Sequence, residues 1–353
     1  MLTDRITLSP TADPEPEDYL STSLGVIFPD DITNQHGDSS TPVIYTSPTF
    51  GKIFLSLADP VGEGSRRLFA QYLWNAGVFV AVGLEDALTT SSSSSGDGVR
   101  SGTGMGGEMG TGTGARTERG RWMQKDAWDV RSETVLELGA GTGLAGIIAA
   151  KAGAKEVFIT DYPAEEVLAN LSANVERNLS PEEQKRCYVK GHEWGFVPGF
   201  DDAQAEEQKV VHGSKGEGKS QTAHGMDFPK YYAKHFSRLL LADTLWMPAQ
   251  HANLHRSISY FLSANGYAIV VAGFHTGRAK MAPFFDAQAL AAVGLEVESI
   301  VEKDPTGRER EWKSAERGNG EEGRENLSER KRWLVIAVLR RVGGQDGDEG
   351  ERE

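Results

Sequence analysis

VLELGAGTGLAGIIAAKAGAKEVFITDYP, residues 135–163, decides how this chain is read. A strand-like apolar run, TVLELG, meets glycines at the alternate positions 139, 141 and 143, and an alanine-rich run of helical length follows. Glycines at such a junction let the chain turn sharply. They also let backbone N–H groups approach a ligand with no Cβ in the way. A second strand-like run, EVFITD, ends in Asp161, where a carboxylate can accept hydrogen bonds from a ribose diol. Residues 141–146, G-T-G-L-A-G, also match the G-x-G-x-x-G fingerprint of dinucleotide sites. The register weakens that match. In a dinucleotide site the first glycine follows the strand directly, and that place belongs to Gly139; the third would then fall on Leu144. The loop leans away from NAD without excluding it.

Outward from this loop, strand and helix patterns alternate. After EVFITD come a helix (AEEVLANLSANVERN), a strand (CYVKGHEW), a strand (SRLLLAD) and a helix (PAQHANLHRSISYFLSANG) with Pro248 near its first turn. Then follow a strand (YAIVVAGF), a helix (AKMAPFFDAQALAAVG) and two final strands, LEVESIVEKD and RWLVIAVLRR. Such alternation predicts a parallel sheet with helices on both faces. The last two strands have only a polar segment between them, so they are expected to pair antiparallel. Upstream, TPVIYTSPTFGKIFLSLA reads as a hairpin and SRRLFAQYLWNAGVFVAVGLEDAL as a helix.

These patterns divide the chain. Residues 1–88 form an N-terminal extension with the hairpin and helix. Residues 89–120, rich in Gly, Ser and Thr, read as a disordered low-complexity insertion. Residues 121–342 form the core, with disordered loops at 200–226 and 304–330, and 343–353 form a disordered acidic tail.

Composition narrows the function. The chain has 353 residues, 39% of them hydrophobic, enough for a large core. Its single cysteine, Cys187, excludes an internal disulfide and a cysteine zinc site. A net charge of -14 disfavours nucleic acid, whose phosphates need a basic face. No secretory signal or membrane span is read, and the expected compartment is the cytoplasm, the nucleus being the other reducing choice. His251 and His255 lie four apart on a helix; with no third ligand beside them they are read as a solvent-facing pair, and no metal is expected.

Three further pieces, YLWNAGVFVA (72–81), HEWG (192–195) and LLLADTLW (239–246), combine with ELGAGTGL and TDYP. Together they resemble methyltransferase family 16, the lysine-methyltransferase-like group, in its fungal nicotinamide N-methyltransferase-like branch. That branch includes the enzyme acting on the N-terminus and a lysine of translation elongation factor 1-alpha. The resemblance implies a class I (Rossmann-like) α/β fold: a seven-stranded, mostly parallel sheet whose last strand is antiparallel. It implies S-adenosylmethionine as cofactor and a protein amine as acceptor, with a small-molecule acceptor such as nicotinamide as the alternative and an NAD-dependent oxidoreductase behind it. Roles follow in the same way. Trp74 would contact the cofactor from the N-terminal cap. Gly139, Ala140 and Gly141, flanked by Glu137, would pass under its methionine and ribose. Asp161, followed by Tyr162, would take the ribose hydroxyls, and Trp194 would flank the adenine. Ala242 would lie beneath the reacting methyl. Asp243 and Trp246 would stand on the acceptor side, Asp243 orienting the amine and Trp246 walling an aromatic channel.

Overall fold

The structure is a computed structural model, and it describes residues 2–9, 34–58, 72–91, 125–198, 228–314 and 332–343. The low-complexity insertion from residue 92 onward, the loop at 200–226, residues 315–330 and the tail from 344 lie outside the described residues.

The N-terminal part holds β1 (Ile6–Leu8), β2 (Gln35–His36), β3 (Val43–Ser47), β4 (Gly51–Leu55) and β5 (Leu73–Trp74). β3 and β4 form the expected hairpin, and β1 joins it in a sheet ordered β1-β3-β4. The edge strand β4 meets side chains instead of another strand. Asn178 accepts the Phe54 N–H at 2.8 Å and donates to the Phe54 carbonyl at 2.8 Å. Asn174 does the same for Ser56, at 2.9 Å each way.

Of the helix read over 65–88, residues 65–71 lie outside the described residues, 72–74 are not helical, and α1 is Asn75–Ser91. Leu73 and Trp74 pair antiparallel with His36 and Gln35, and the Asn75 Oδ1 lies 2.7 Å from the His36 Nε2. A backbone committed to that pairing cannot also be helical. The remaining helices are α2 (Lys125–Trp128), α3 (Leu144–Lys151), α4 (Glu165–Asn178), α5 (Pro181–Gln184), α6 (His251–Phe261), α7 (Arg278–Met281) and α8 (Ala287–Ala291). α4 opens on Glu165 and Glu166 and closes on Arg177, charges that suit the helix dipole. α6 stops five residues before the expected Gly266. The Arg341 guanidinium covers its last carbonyls, bonding to those of Ser259 and Leu262. The single helix expected across 279–294 is broken by Pro283 and restarted by Asp286, whose Oδ1 caps α8 through the Ala289 N–H at 2.9 Å.

The central sheet comprises β6 (Thr134–Leu138), β7 (Glu156–Asp161), β8 (Cys187–Gly191), β9 (Phe236–Ala242), β10 (Leu262–Gly273), β11 (Leu295–Lys303), β12 (Glu309–Glu311) and β13 (Leu334–Arg341). Their order is β12-β11-β13-β10-β9-β6-β7-β8. β6 through β10 are mutually parallel, and β13 slots between β10 and β11 antiparallel to both. Without β12 this is the class I methyltransferase sheet, with the antiparallel final strand expected. β12 makes an eighth strand, paired on β11 from within the segment read as a loop. Its sequence, Glu-Arg-Glu, has no apolar side to betray a strand.

Apolar residues alternate along each strand between two cores. Val135, Val157, Ile159 and Leu240 face α1, α3 and α4. Leu136, Phe158, Leu239 and Leu241 face α6 and Phe284. This two-residue period follows from a sheet covered on both sides. No described helix is long and apolar enough to cross a membrane.

Candidate functional site

Parallel pairing brings the C-terminal ends of β6, β7, β9 and β10 to one edge of the sheet, where α/β folds place ligands. Gly139 is the first residue after β6, which settles the register of the loop. It sits at φ +69°, and a Cβ there would lie 2.8 Å from the Trp194 indole and 3.0 Å from the Thr244 methyl. Gly141, at φ +56°, has nothing within 4 Å of where its Cβ would stand. The loop is thus closed on one side by Trp194 and Thr244 and open above Gly141. Ala140, between them, donates its N–H to the Thr160 carbonyl at 3.0 Å.

Asp161 ends β7 and is 8% exposed. Its Oδ2 accepts the Gly141 N–H and its Oδ1 the Tyr162 N–H, both at 2.7 Å. Burial raises its pKa, against the pull of these two backbone donors. Each carboxylate oxygen has a second lone pair for a ligand hydroxyl. Tyr162 itself is 43% exposed, at the rim. Glu137 sits lower. It is 2% exposed, and its Oε2 accepts the Gly146 N–H of α3 at 2.9 Å. Burial, opposed by that N–H and reinforced by the Asp161 charge, holds its pKa up at about 8. Its carboxyl group fastens the helix behind the loop.

Trp194 is placed by a network that the sequence reading missed. The Ser257 hydroxyl of α6 lies 2.9 Å from the His192 Nε2 and accepts the Gly195 N–H at 2.8 Å. The His192 N–H donates to the Asp161 carbonyl at 2.8 Å. The H-E-W-G turn is therefore tied to both β7 and α6, and burial pushes the His192 imidazole down to about 3.

Past β9, Ala242 pairs with Val271 and the chain turns at Asp243, φ +59°. Asp243 Oδ1 accepts the Gly273 N–H at 3.0 Å, and its Oδ2 lies 2.8 Å from the Nε2 of His275. The His275 ring packs on Trp74, centroids 4.7 Å apart. Trp74 thereby stands beside the Asp243 pair. Trp246, three residues beyond Asp243, is half-buried. His275 and Thr244 were both missed; His275 lies two residues past the end of a parallel strand, which was the available signal. The reading of His251 and His255 is corrected. They are 6% and 4% exposed, and their Nε2 atoms bond the carbonyls of Leu245 at 3.0 Å and Phe284 at 2.9 Å. That face of α6 turns inward onto the sheet. No cluster of three metal-binding side chains occurs among the described residues.

Residues 60–197 match the family model described as lysine methyltransferase. Over that stretch the chain is similar to methyltransferase family 16. The dinucleotide reading is disfavoured by this likeness and by the antiparallel β13. Among relatives, the protein N-terminal and lysine N-methyltransferase EFM7 of Cryptococcus neoformans is 34% identical over 135 residues, 38% of this chain and 37% of that one. Its namesake in Schizosaccharomyces pombe is 26% identical over 247 residues, 69% and 71% of the two chains. Mouse protein N-lysine methyltransferase METTL21A is 43% identical over 83 residues, 22% and 37%. The match thus spans 37% of the Cryptococcus relative's length. A TehB-like SAM-dependent methyltransferase from Corynebacterium glutamicum overlays at TM-score 0.36 with 14% identity, covering 62% of this chain and 84% of its own. The strand order, not that overlay, carries the fold.

The crevice fits the S-adenosylmethionine that the family implies. Space stands open over Gly141, a flat indole lies beside Gly139, and Asp161 keeps acceptor capacity at the rim. The Thr244 hydroxyl is buried with no partner among the described residues, in the wall that touches Gly139.

Proposed function

We propose that this chain is an S-adenosylmethionine-dependent methyltransferase whose acceptor is a protein amine, a lysine side chain or an N-terminus. The observation that carries the reading is the position of Asp243, at the end of β9 and joined through Thr244 to the glycine loop. The names of the relatives support a protein acceptor. The resemblance read from the sequence makes translation elongation factor 1-alpha the first acceptor to offer. A buried free thiol at Cys187 suits a reducing compartment, and we place the reaction in the cytosol.

When bound, the sulfonium cofactor supplies an electrophilic methyl for in-line displacement. The chain's own residues supply alignment and dryness. Asp161 would hold the ribose, its carboxylate fixed by the Gly141 N–H. Trp194 would flank the adenine. A lysine ammonium, with a reference pKa of about 10.4, must lose a proton before it has a lone pair to use. The Asp243 carboxylate accepts a hydrogen bond from the amine and so fixes the direction of that lone pair. Trp74 and Trp246 wall the approach.

Two measurements test this. Labelled S-adenosylmethionine with elongation factor 1-alpha and with a protein extract should give a labelled band; none under any condition defeats the reading. Isothermal titration with S-adenosylhomocysteine should show Asp161→Ala binding roughly ten- to a few-hundred-fold more weakly, since it loses charge-assisted hydrogen bonds of about 1.5–3 kcal/mol each. Unchanged affinity in a normally melting variant means the cofactor lies elsewhere.

A further inference from the structure

From the side-chain series Trp74–His275–Asp243 we infer that His275 is a positioning residue for methyl transfer, fixing the Asp243 carboxylate that receives the acceptor amine. The inference rests on the reading above and deepens it.

Asp243 is an outlier of the backbone, a non-glycine residue at φ +59°. Aspartate tolerates this region better than most residues, and here the conformation turns its carboxylate across the sheet from β9 to the end of β10. Both oxygens are engaged there on one side. Oδ1 takes the Gly273 N–H and Oδ2 takes the His275 Nε2–H. Two bonds on two oxygens leave the carboxylate no rotation about its last torsion. The remaining lone pair on each oxygen is then aimed in a set direction, which an amine donor can use.

The imidazole is itself placed by two devices. A Cβ on Gly273 would lie 2.6 Å from the His275 Nε2 and 2.8 Å from its Cε1, so only glycine lets the ring lie over the strand end. Trp74 packs on the ring from the N-terminal cap. The His275 side chain is 24% exposed and that of Asp243 5%, so the pair lies at the wall of the crevice and not in the core. Trp74, read from the sequence as a cofactor contact, thereby also carries the placement of the cap to the acceptor side.

His275→Phe keeps a ring against Trp74 and removes the donor. His275→Gln keeps an N–H donor near the position of Nε2. Turnover of labelled methyl onto extract protein should fall about tenfold to a hundredfold in His275→Phe, the scale of one hydrogen bond to a charged group. It should recover most of that loss in His275→Gln, with S-adenosylhomocysteine affinity within about twofold of the parent in both. Normal turnover in His275→Phe overturns the inference. So does equal loss in both variants, which would make the imidazole a proton acceptor, and so does parallel loss of cofactor affinity. A structural arm stands apart from activity. Nitrogen-15 spectra of histidine-labelled protein, with His275 assigned by its absence in His275→Gln, should show a proton on Nε2 and a change on Asp243→Asn. An unprotonated Nε2 ends the inference even if the enzyme is active. If the parent labels no protein, the proposed function fails while the spectra still decide this pairing.

Discussion

The two faces of the central sheet are built from different materials. The face under α1, α3 and α4 is mostly aliphatic and small: Ala145, Gly146, Ala149 and Ala150 of α3 lie on Val135, Val157 and Ile159. The face under α6 is aromatic. Phe158 alone has Tyr188, Phe228, Tyr232 and Phe236 rings within 5.4 Å. The difference follows from the loop. A helix that starts soon after Gly139 must sit low on β6 and β7, and only small side chains allow that approach. The other face has no such constraint and fills a wider gap with rings. The buried titratable groups divide in the same way. The loop face holds a carboxylic acid, Glu137, and the aromatic face holds imidazoles: His192 lies 5.1 Å from Phe261, and His251 and His255 pack on Phe284.

The largest expected effect tests the packing. Phe158→Ala should cost about 3–5 kcal/mol in denaturant titration, as buried ring deletions do. A loss under about 1 kcal/mol would mean the rings are loosely packed and the contrast is one of composition only.

The next two effects test the opposite pH responses. Glu137 has a folded pKa raised to about 8 from an ordinary 4.5. Its folded state holds a proton that the unfolded state gives up, so stability is full below about 4.5 and declines as pH rises toward 8. Between about pH 5 and 7 the parent should lose about 3 kcal/mol from this group, and Glu137→Gln should flatten that slope. His192 runs the other way. Its folded pKa is lowered to about 3, so the unfolded state takes a proton first. Stability is full above about 6.5 and falls as pH drops, by roughly 2 kcal/mol at about pH 5. His255 and His251, lowered by burial, add in the same direction. His192→Gln should shallow the acid limb of a melting-temperature profile and leave the alkaline limb alone. Equal changes on both limbs would dissolve the division between faces. The smallest effect is a control: Ile159→Val, one methylene on the aliphatic face, should cost about 0.5–1.5 kcal/mol.

Much of this was legible before the structure. The unbroken apolar runs Val135-Leu136 and Leu239-Leu240-Leu241 suit strands covered on both sides, and Gly139 after Leu138 fixes the loop. What was not legible depends on partners remote in sequence. Trp74 reads as helical until its backbone finds Gln35. The end of α6 is set by Arg341, and β12 exists because β11 offers it an edge. His275 was missed for the same reason, because its meaning comes from Asp243, 32 residues earlier. His251 and His255 were misread because i,i+4 spacing says that two residues share a helix face, not which way the face points.

The amide side chains along β4 have a consequence outside catalysis. A strand with bare N–H and C=O groups is a template on which another chain can build, the usual start of edge-to-edge aggregation. Here Asn178 at Phe54 and Asn174 at Ser56, just past the strand, each offer a donor and an acceptor, and so imitate a neighbouring strand without being one. An aspartate at either place would keep the acceptor and lose the donor. The first sign would be self-association of otherwise folded protein at high concentration, well before any loss of thermal stability.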